Sequence, residues 1–204
     1  MSRPDEPSRR TWTRTRLLRA ALGGSAVIAG GAATASWTGG GPPAAAPSES
    51  TDVKILNLFL LLEQVQDAFY REAVRNGRLE GPLRTFAATV GPQESEHVAL
   101  LKERLGGRAG PRPQSDFGDA ASDPERFRDA AIRLEESTIS AFIGQGANLT
   151  RDALAAVVPM VSVEARQVAW VRDLAGVSPA PRAADPARDG DDILNELRKE
   201  GFLQ

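Results

Sequence analysis

A chain of 204 residues, 41% hydrophobic and 25% charged, is long enough for one domain with a real core and has the composition of a soluble globular protein. Its formal charge of −2, with no basic stripe after residue 50, offers nucleic acid nothing to hold. The absence of cysteine excludes disulfides, thiolate metal ligands, a cysteine nucleophile and a lipoprotein anchor, and a single histidine, His97, excludes a multi-imidazole site within one chain.

Residues 1–35 stand apart from that domain. Arg9, Arg10, Arg14, Arg16 and Arg19 precede the modestly apolar run "AALGGSAVIAGGAATA", and Ala33-Thr34-Ala35 has the form of a cleavage signal. Ser8, Arg9-Arg10 and Trp12 resemble a twin-arginine export signal, with an ordinary secretory signal or an uncleaved anchor as the alternatives. The run is too short and too weakly apolar for a permanent span. The expectation is an exported protein, in the periplasm, cell wall or outside the cell, with no stable membrane span after cleavage. Residues 36–51, rich in Gly, Pro, Ala and Ser, read as a disordered linker.

No strand pattern follows, and the rest of the chain is predicted to be all-α. The first helix spans about Asp52 to Asn76, with Ile55, Leu58, Phe59, Leu62, Phe69 and Ala73 on one face and Gly77 as its stop. The second runs from Pro82 to Leu105, before Gly106-Gly107. A polar, Gly/Pro-rich connection leads to Asp123 as N-cap and Pro124 as the first position of a third helix ending near Ile143. Thr150 caps a fourth helix, Arg151 to Ala175, and residues 177–204 form a tail ending in a short amphipathic helix. A helix of about 24 residues is roughly 36 Å long. The middle connection of about 18 residues, at roughly 3.3 Å each, can run that whole length. Residues 52–176 are therefore predicted to form a four-helix bundle of two hairpins joined by one long crossover.

Each helix carries a carboxylate near the middle of its apolar face. Glu63 lies among Phe59, Leu62, Gln66 and Tyr70, and Glu94 shares a stripe with Leu83, Phe86, Val90, His97 and Leu101. Glu135 sits with Phe127, Ala131, Leu134 and Thr138, while Glu136 faces away. Glu164 sits with Val157, Val161, Val168 and Val171, with Gln167 on the adjacent row. Converging buried carboxylates repel and take up protons unless a cation lies between them, and no lysine or arginine holds a matching inward position. A pair of divalent ions answers that need; carboxylates with an imidazole suit iron or manganese, and Glu94 and His97 at i and i+3 can meet one ion. The plainer reading makes His97 a core histidine bonded to Glu94 and the acids members of ordinary ion pairs. Tyr70, seven residues beyond Glu63, either approaches the metals or simply packs.

The segments "ILNLFLLLEQVQDAFYREAV", "QESEHVALLKERLG", "RLEESTISAFIGQGANLT" and "VSVEARQVAWVRDLAG" resemble the exported bacterial ferritin-like domain family that includes desiccation-related proteins. The resemblance covers about residues 52–176. It implies a ferritin-like bundle with a dinuclear iron (di-iron) or manganese site: Glu63 and Glu135 as terminal ligands, the Glu94–His97 pair, and a second pair beginning at Glu164. The family's second pair also ends in histidine. Here Gln167 takes that place, a neutral and weaker ligand, so the second metal position loses affinity or leaves a mononuclear site. The implied activity is ferroxidase-like oxidation of Fe(II) by dioxygen or peroxide, protecting against oxidative stress, in a monomer or dimer. The alternative is a non-catalytic stress or cell-envelope protein that keeps the bundle without redox function.

Overall fold

The computed structural model describes residues 47–204; the signal segment 1–35 and linker residues 36–46 lie outside the described residues. Five α-helices follow: α1 Glu49–Asn76, α2 Gly81–Leu105, α3 Pro124–Gly146, α4 Arg151–Leu174 and α5 Gly190–Lys199. Among the described residues there is no strand.

Local chemistry sets the ends. The Ser48 hydroxyl accepts from the Thr51 amide at 3.2 Å and caps α1. With Glu49 and Asp52 in the first turn to meet the helix dipole, α1 starts three residues before the expected Asp52. The last residues assigned to the linker are thus its first turn. Gly77, at φ 64, closes α1 in the left-handed conformation. Asp123 caps α3 by accepting from the Glu125 and Arg126 amides at 3.0 and 2.9 Å. α3 continues three residues past Ile143, and α4 stops one before Ala175. α2 contains Pro92, which cannot donate to the Ala88 carbonyl. Gly91 beside it lets α1 come close, since a Cβ there would lie 3.2 Å from the Tyr70 Cβ.

Aromatic contacts fix the direction of each helix. Phe69, late in α1, stacks on Phe127, early in α3, at 5.2 Å, and Phe59 meets Phe142 at the other end at 4.1 Å. Phe86, early in α2, meets Trp170, late in α4, at 5.1 Å. The connection between α2 and α3 leaves from the start of α1, where Arg108 pairs with Glu49 at 2.7 Å, and arrives beside Phe69 through Phe117 at 5.2 Å. It therefore travels the length of the bundle, as its own length allows. Asn57 fastens it by accepting from the Gly110 amide at 2.6 Å and donating to the Arg108 carbonyl at 3.0 Å. Higher up, Arg112 reaches the buried Asp67 at 2.5 Å. The result is two antiparallel hairpins joined by a crossover, with one apolar core through all four helices. α4 is long and apolar enough in composition to cross a bilayer, but here Val157, Met160, Val168 and Val171 are buried in that core.

The tail closes over α1 and α3. Ile193, Leu197, Phe202 and Leu203 are buried, with Phe202 5.6 Å from Phe117 and Arg133 paired to Glu200 at 2.9 Å. The Arg188 amide donates to the Ser140 carbonyl at 3.1 Å. This approach is possible because residue 144 is glycine: a Cβ there would sit 2.3 Å from the Arg188 carbonyl oxygen. Gly144→Ala should accordingly release the tail at a cost of roughly 1–3 kcal/mol while leaving α1–α4 folded. Limited proteolysis should then cut between residues 177 and 204 much faster than in the native chain; equal protection would refute this account.

Candidate metal centre

The helix directions bring the inward carboxylates to one level. Glu63 of α1, Glu94 and His97 of α2 and Glu164 of α4 each offer one donor atom, and these atoms all lie within 4.8 Å of one another. Donors held about 2.1–2.5 Å from a common ion lie up to about 5 Å apart, so this spacing fits a single cation. His97 Nδ1 faces the group: Glu63 Oε2 takes its hydrogen bond at 3.2 Å. Glu164 Oε1 at 3.0 Å and Glu94 Oε2 at 3.4 Å are close to the same nitrogen but out of line for a hydrogen bond.

The buried oxygens without a partner are the more telling observation. Glu63 Oε1, Glu94 Oε2, Glu135 Oε2 and both oxygens of Glu164 accept from nothing, although buried carboxylates ordinarily do. Among the described residues, His97 is the only side chain that forms an ion pair with any of these four glutamates. A set of unpaired carboxylate oxygens with one imidazole is a donor set for iron or manganese, and the residues present fit such an ion.

Glu135, also expected here, falls outside the four-residue group, and Gln167 meets that group through Glu94. Glu135 Oε1 accepts from the Tyr70 hydroxyl. Tyr70 is fully buried, so it does approach the cluster, through Glu135. Gln167 turns its Nε2 toward Glu94 Oε1 at 2.7 Å and Gln93 Oε1 at 3.0 Å, leaving its own oxygen unpartnered. Glu136, read as facing outward, pairs with Arg172.

Two buried acids were missed by the sequence reading. Asp67 accepts from Ser95 at 2.6 Å and pairs with Arg71 at 2.8 Å and Arg112 at 2.5 Å. It lies four residues beyond Glu63, so the helical period could have flagged it. Asp52 accepts from the Thr150 amide at 2.8 Å and its hydroxyl at 2.6 Å, joining the starts of α1 and α4. Gln66, one turn from Glu63, accepts from the Thr138 hydroxyl at 2.7 Å.

Burial raises Glu63, Glu135 and Glu164 well above the usual carboxylate range. The charge of Glu94 adds to the rise in all three, while His97 opposes it at Glu63 and Glu164, and Tyr70 opposes it at Glu135. Burial would lower His97, but the carboxylates of Glu164, Glu63 and Glu94 gathered about its Nδ1 outweigh it and push the imidazole up to about 12. Burial and the charge of Glu135 also raise Tyr70.

For the metal-free chain the sign follows directly. A carboxylate raised above 4.5 on folding adds stability that is full below that value and lost as pH climbs through the folded one. His97 adds stability that is full below 6.5 and lost toward about 12. The stripped protein should therefore become less stable as pH rises from 4.5, and a bound cation, which displaces the protons, should remove that loss. Denaturant unfolding of stripped chain across this range checks it, with Glu164→Gln expected to flatten the slope; a stability that rises with pH in the stripped chain would contradict the burial account.

A family model for the ferritin-like domain matches residues 51–177, which span α1 to the end of α4. A search of curated proteins finds no match. The match covers the crossover, the antiparallel hairpins and every residue of the cluster, and on that ground the chain belongs to the ferritin-like domain family.

Proposed function

We propose that this is an exported metal-binding protein that takes iron or manganese between Glu63, Glu94, His97 and Glu164, with Glu135 and Gln167 at the adjoining position. It oxidises Fe(II) with dioxygen or peroxide and so limits metal-driven oxidative damage. The observation that carries this reading is the group of buried carboxylate oxygens with no partner, closing to within 4.8 Å around the one imidazole. Bound iron supplies one-electron exchange between its ferrous and ferric states.

The residues of the chain do the rest. Glu63, Glu94, Glu135 and Glu164 are fully buried, so they hold charge where water does not compete. Glu94 acts on the carboxylates of Glu63, Glu135 and Glu164 alike. His97 keeps 8% exposure, which makes it the most exposed member of the group. Tyr70 holds Glu135 in place by its hydroxyl. The protons on these groups leave when a cation arrives.

Export rests on Ser8-Arg9-Arg10, the Gly/Ala-rich run and Ala33-Thr34-Ala35. A twin-arginine route suits a metal protein, because folding in the cytoplasm lets the cell choose the ion loaded. Replacing Arg9 and Arg10 together by lysine should keep the chain in the cytoplasm of a host that has this route; undiminished export would remove the twin-arginine assignment.

A second reading, favoured by the Gln167 amide bonded to Glu94, is a structural stress or cell-envelope protein that keeps the bundle without redox turnover. The full chain, stripped of metal and titrated anaerobically with Fe(II), separates the two once oxygen is admitted. The proposal expects binding at micromolar Fe(II), ferric absorbance in the near ultraviolet, and loss of uptake in Glu94→Ala with helical content kept. Binding without oxidation supports the second reading. A chain that binds neither Fe(II) nor Mn(II) at micromolar levels refutes both the metal and the oxidation.

A further inference from the structure

α2 and α4 carry the same spacing, Glu94-x-x-His97 and Glu164-x-x-Gln167, but the two pairs do opposite things. On the α2 side His97 Nδ1 turns into the cluster, with three carboxylate oxygens within 3.4 Å. On the α4 side Gln167 turns an N–H into it. That Nε2 donates to Glu94 Oε1 at 2.7 Å and to Gln93 Oε1 at 3.0 Å. An amide nitrogen carrying two hydrogens has no lone pair to give a cation, and its positive end occupies the approach to Glu94 Oε1.

The orientation is held by the carboxylate of Glu94. Turning the Gln167 amide over would set its oxygen against Glu94 Oε1 and lose the 2.7 Å hydrogen bond, whereas Gln93, itself an amide, can turn with it. Glu135, the other carboxylate on that side, has one oxygen engaged by Tyr70 and only Oε2 free. A cation at the second position would therefore find one free Glu135 oxygen, a share of Glu164 and at most the neutral Gln167 oxygen, with an N–H toward Glu94 where the first position has an imidazole.

We propose that the centre takes a single divalent cation, in the group of Glu63, Glu94, His97 and Glu164, and that Gln167 closes the second position by giving Glu94 a hydrogen bond in place of an ion. This rests on the metal-binding reading above and refines it. Gln93 acts as a positioning residue that holds the Gln167 amide, and Tyr70 does the same for Glu135. Its two hydrogen bonds satisfy both amide hydrogens of Gln167, so the closed half is a stable arrangement.

Mn(II) alone is the probe. The full-length chain, stripped of metal, is dialysed against Mn(II), and bound manganese is counted per chain. Electron paramagnetic resonance then separates an isolated ion, which gives a six-line signal, from a spin-coupled pair. The native chain should hold one Mn(II) with the isolated signal. Gln167→His, which supplies an imidazole, and Gln167→Glu, which keeps the shape but replaces the donor by an oxygen, should each raise the count to two and produce a coupled signal. Circular dichroism confirms that the variant is folded, and the second substitution serves if the first is not. Two Mn(II) in the native chain would overturn this inference and leave the metal-binding reading standing. No Mn(II) or Fe(II) in the folded native chain would overturn that reading itself. Folded variants that stay at one ion would show that Gln167 does not close the second position.

Discussion

Four glutamates and one histidine are buried together, and among the described residues no guanidinium or ammonium pairs with them. Removing a carboxylate from water costs several kcal/mol even after relaxation, and neighbouring carboxylates of like charge add to that. Only protons or a cation can offset the charge. Without an ion, burial raises Glu63, Glu135 and Glu164, and the surrounding carboxylates keep the imidazole protonated. With an ion, the same oxygens become ligands and the protons leave. Either state needs a scaffold stiff enough to keep like charges in contact, and the bundle supplies one.

That stiffness has an identifiable source outside the cluster. Asp52 ties the start of α1 to the cap of α4 through Thr150, and Asp67 ties α1 to α2 through Ser95 and to the crossover through Arg112. Both carboxylates are fully engaged, unlike the glutamates one to three turns away from them on α1 and its neighbours. The contrast is informative: this chain can pair a buried acid when pairing is the purpose. The aromatic set of Phe69, Tyr70, Phe86, Phe117 and Phe127 fills the end of the bundle above the cluster, and Tyr70 links that layer to Glu135.

The two halves of the centre differ by a single kind of contact. His97 presents a ring nitrogen that can lose its proton and bind an ion; Gln167 presents an amide N–H that cannot. Both satisfy a carboxylate, so both are compatible with the fold. They differ in the atom offered, a ring nitrogen on α2 and an amide N–H on α4, while the two hairpins stay alike in architecture.

Much of this could be read in the sequence, because a helix repeats every 3.6 residues and the core face repeats with it. Ile55 to Ala73, Leu83 to Leu105 and their counterparts in α3 and α4 placed Glu63, Glu94, His97, Glu135, Glu164 and Gln167 inward, and all of them are buried. The crossover followed from a loop long enough to span the bundle. Boundaries were less legible: the Ser48 cap extends α1 into residues that composition alone assigns to a linker. Asp52 was passed over because its partner lies 98 residues away in the chain, and Asp67, though its helical period placed it inward, because Ser95 and Arg112 lie 28 and 45 residues away. Tyr70 was visible as an inward residue but not as the donor to Glu135, for the same reason. Periodicity thus determined which side chains face the core and that four acids would meet there. Which atoms touch was decided only when the helices packed: that His97 turns toward three carboxylates, and that Gln167 offers nitrogen rather than oxygen, depends on the register between helices. No local pattern encodes that register, since it is set by contacts between residues far apart in the chain.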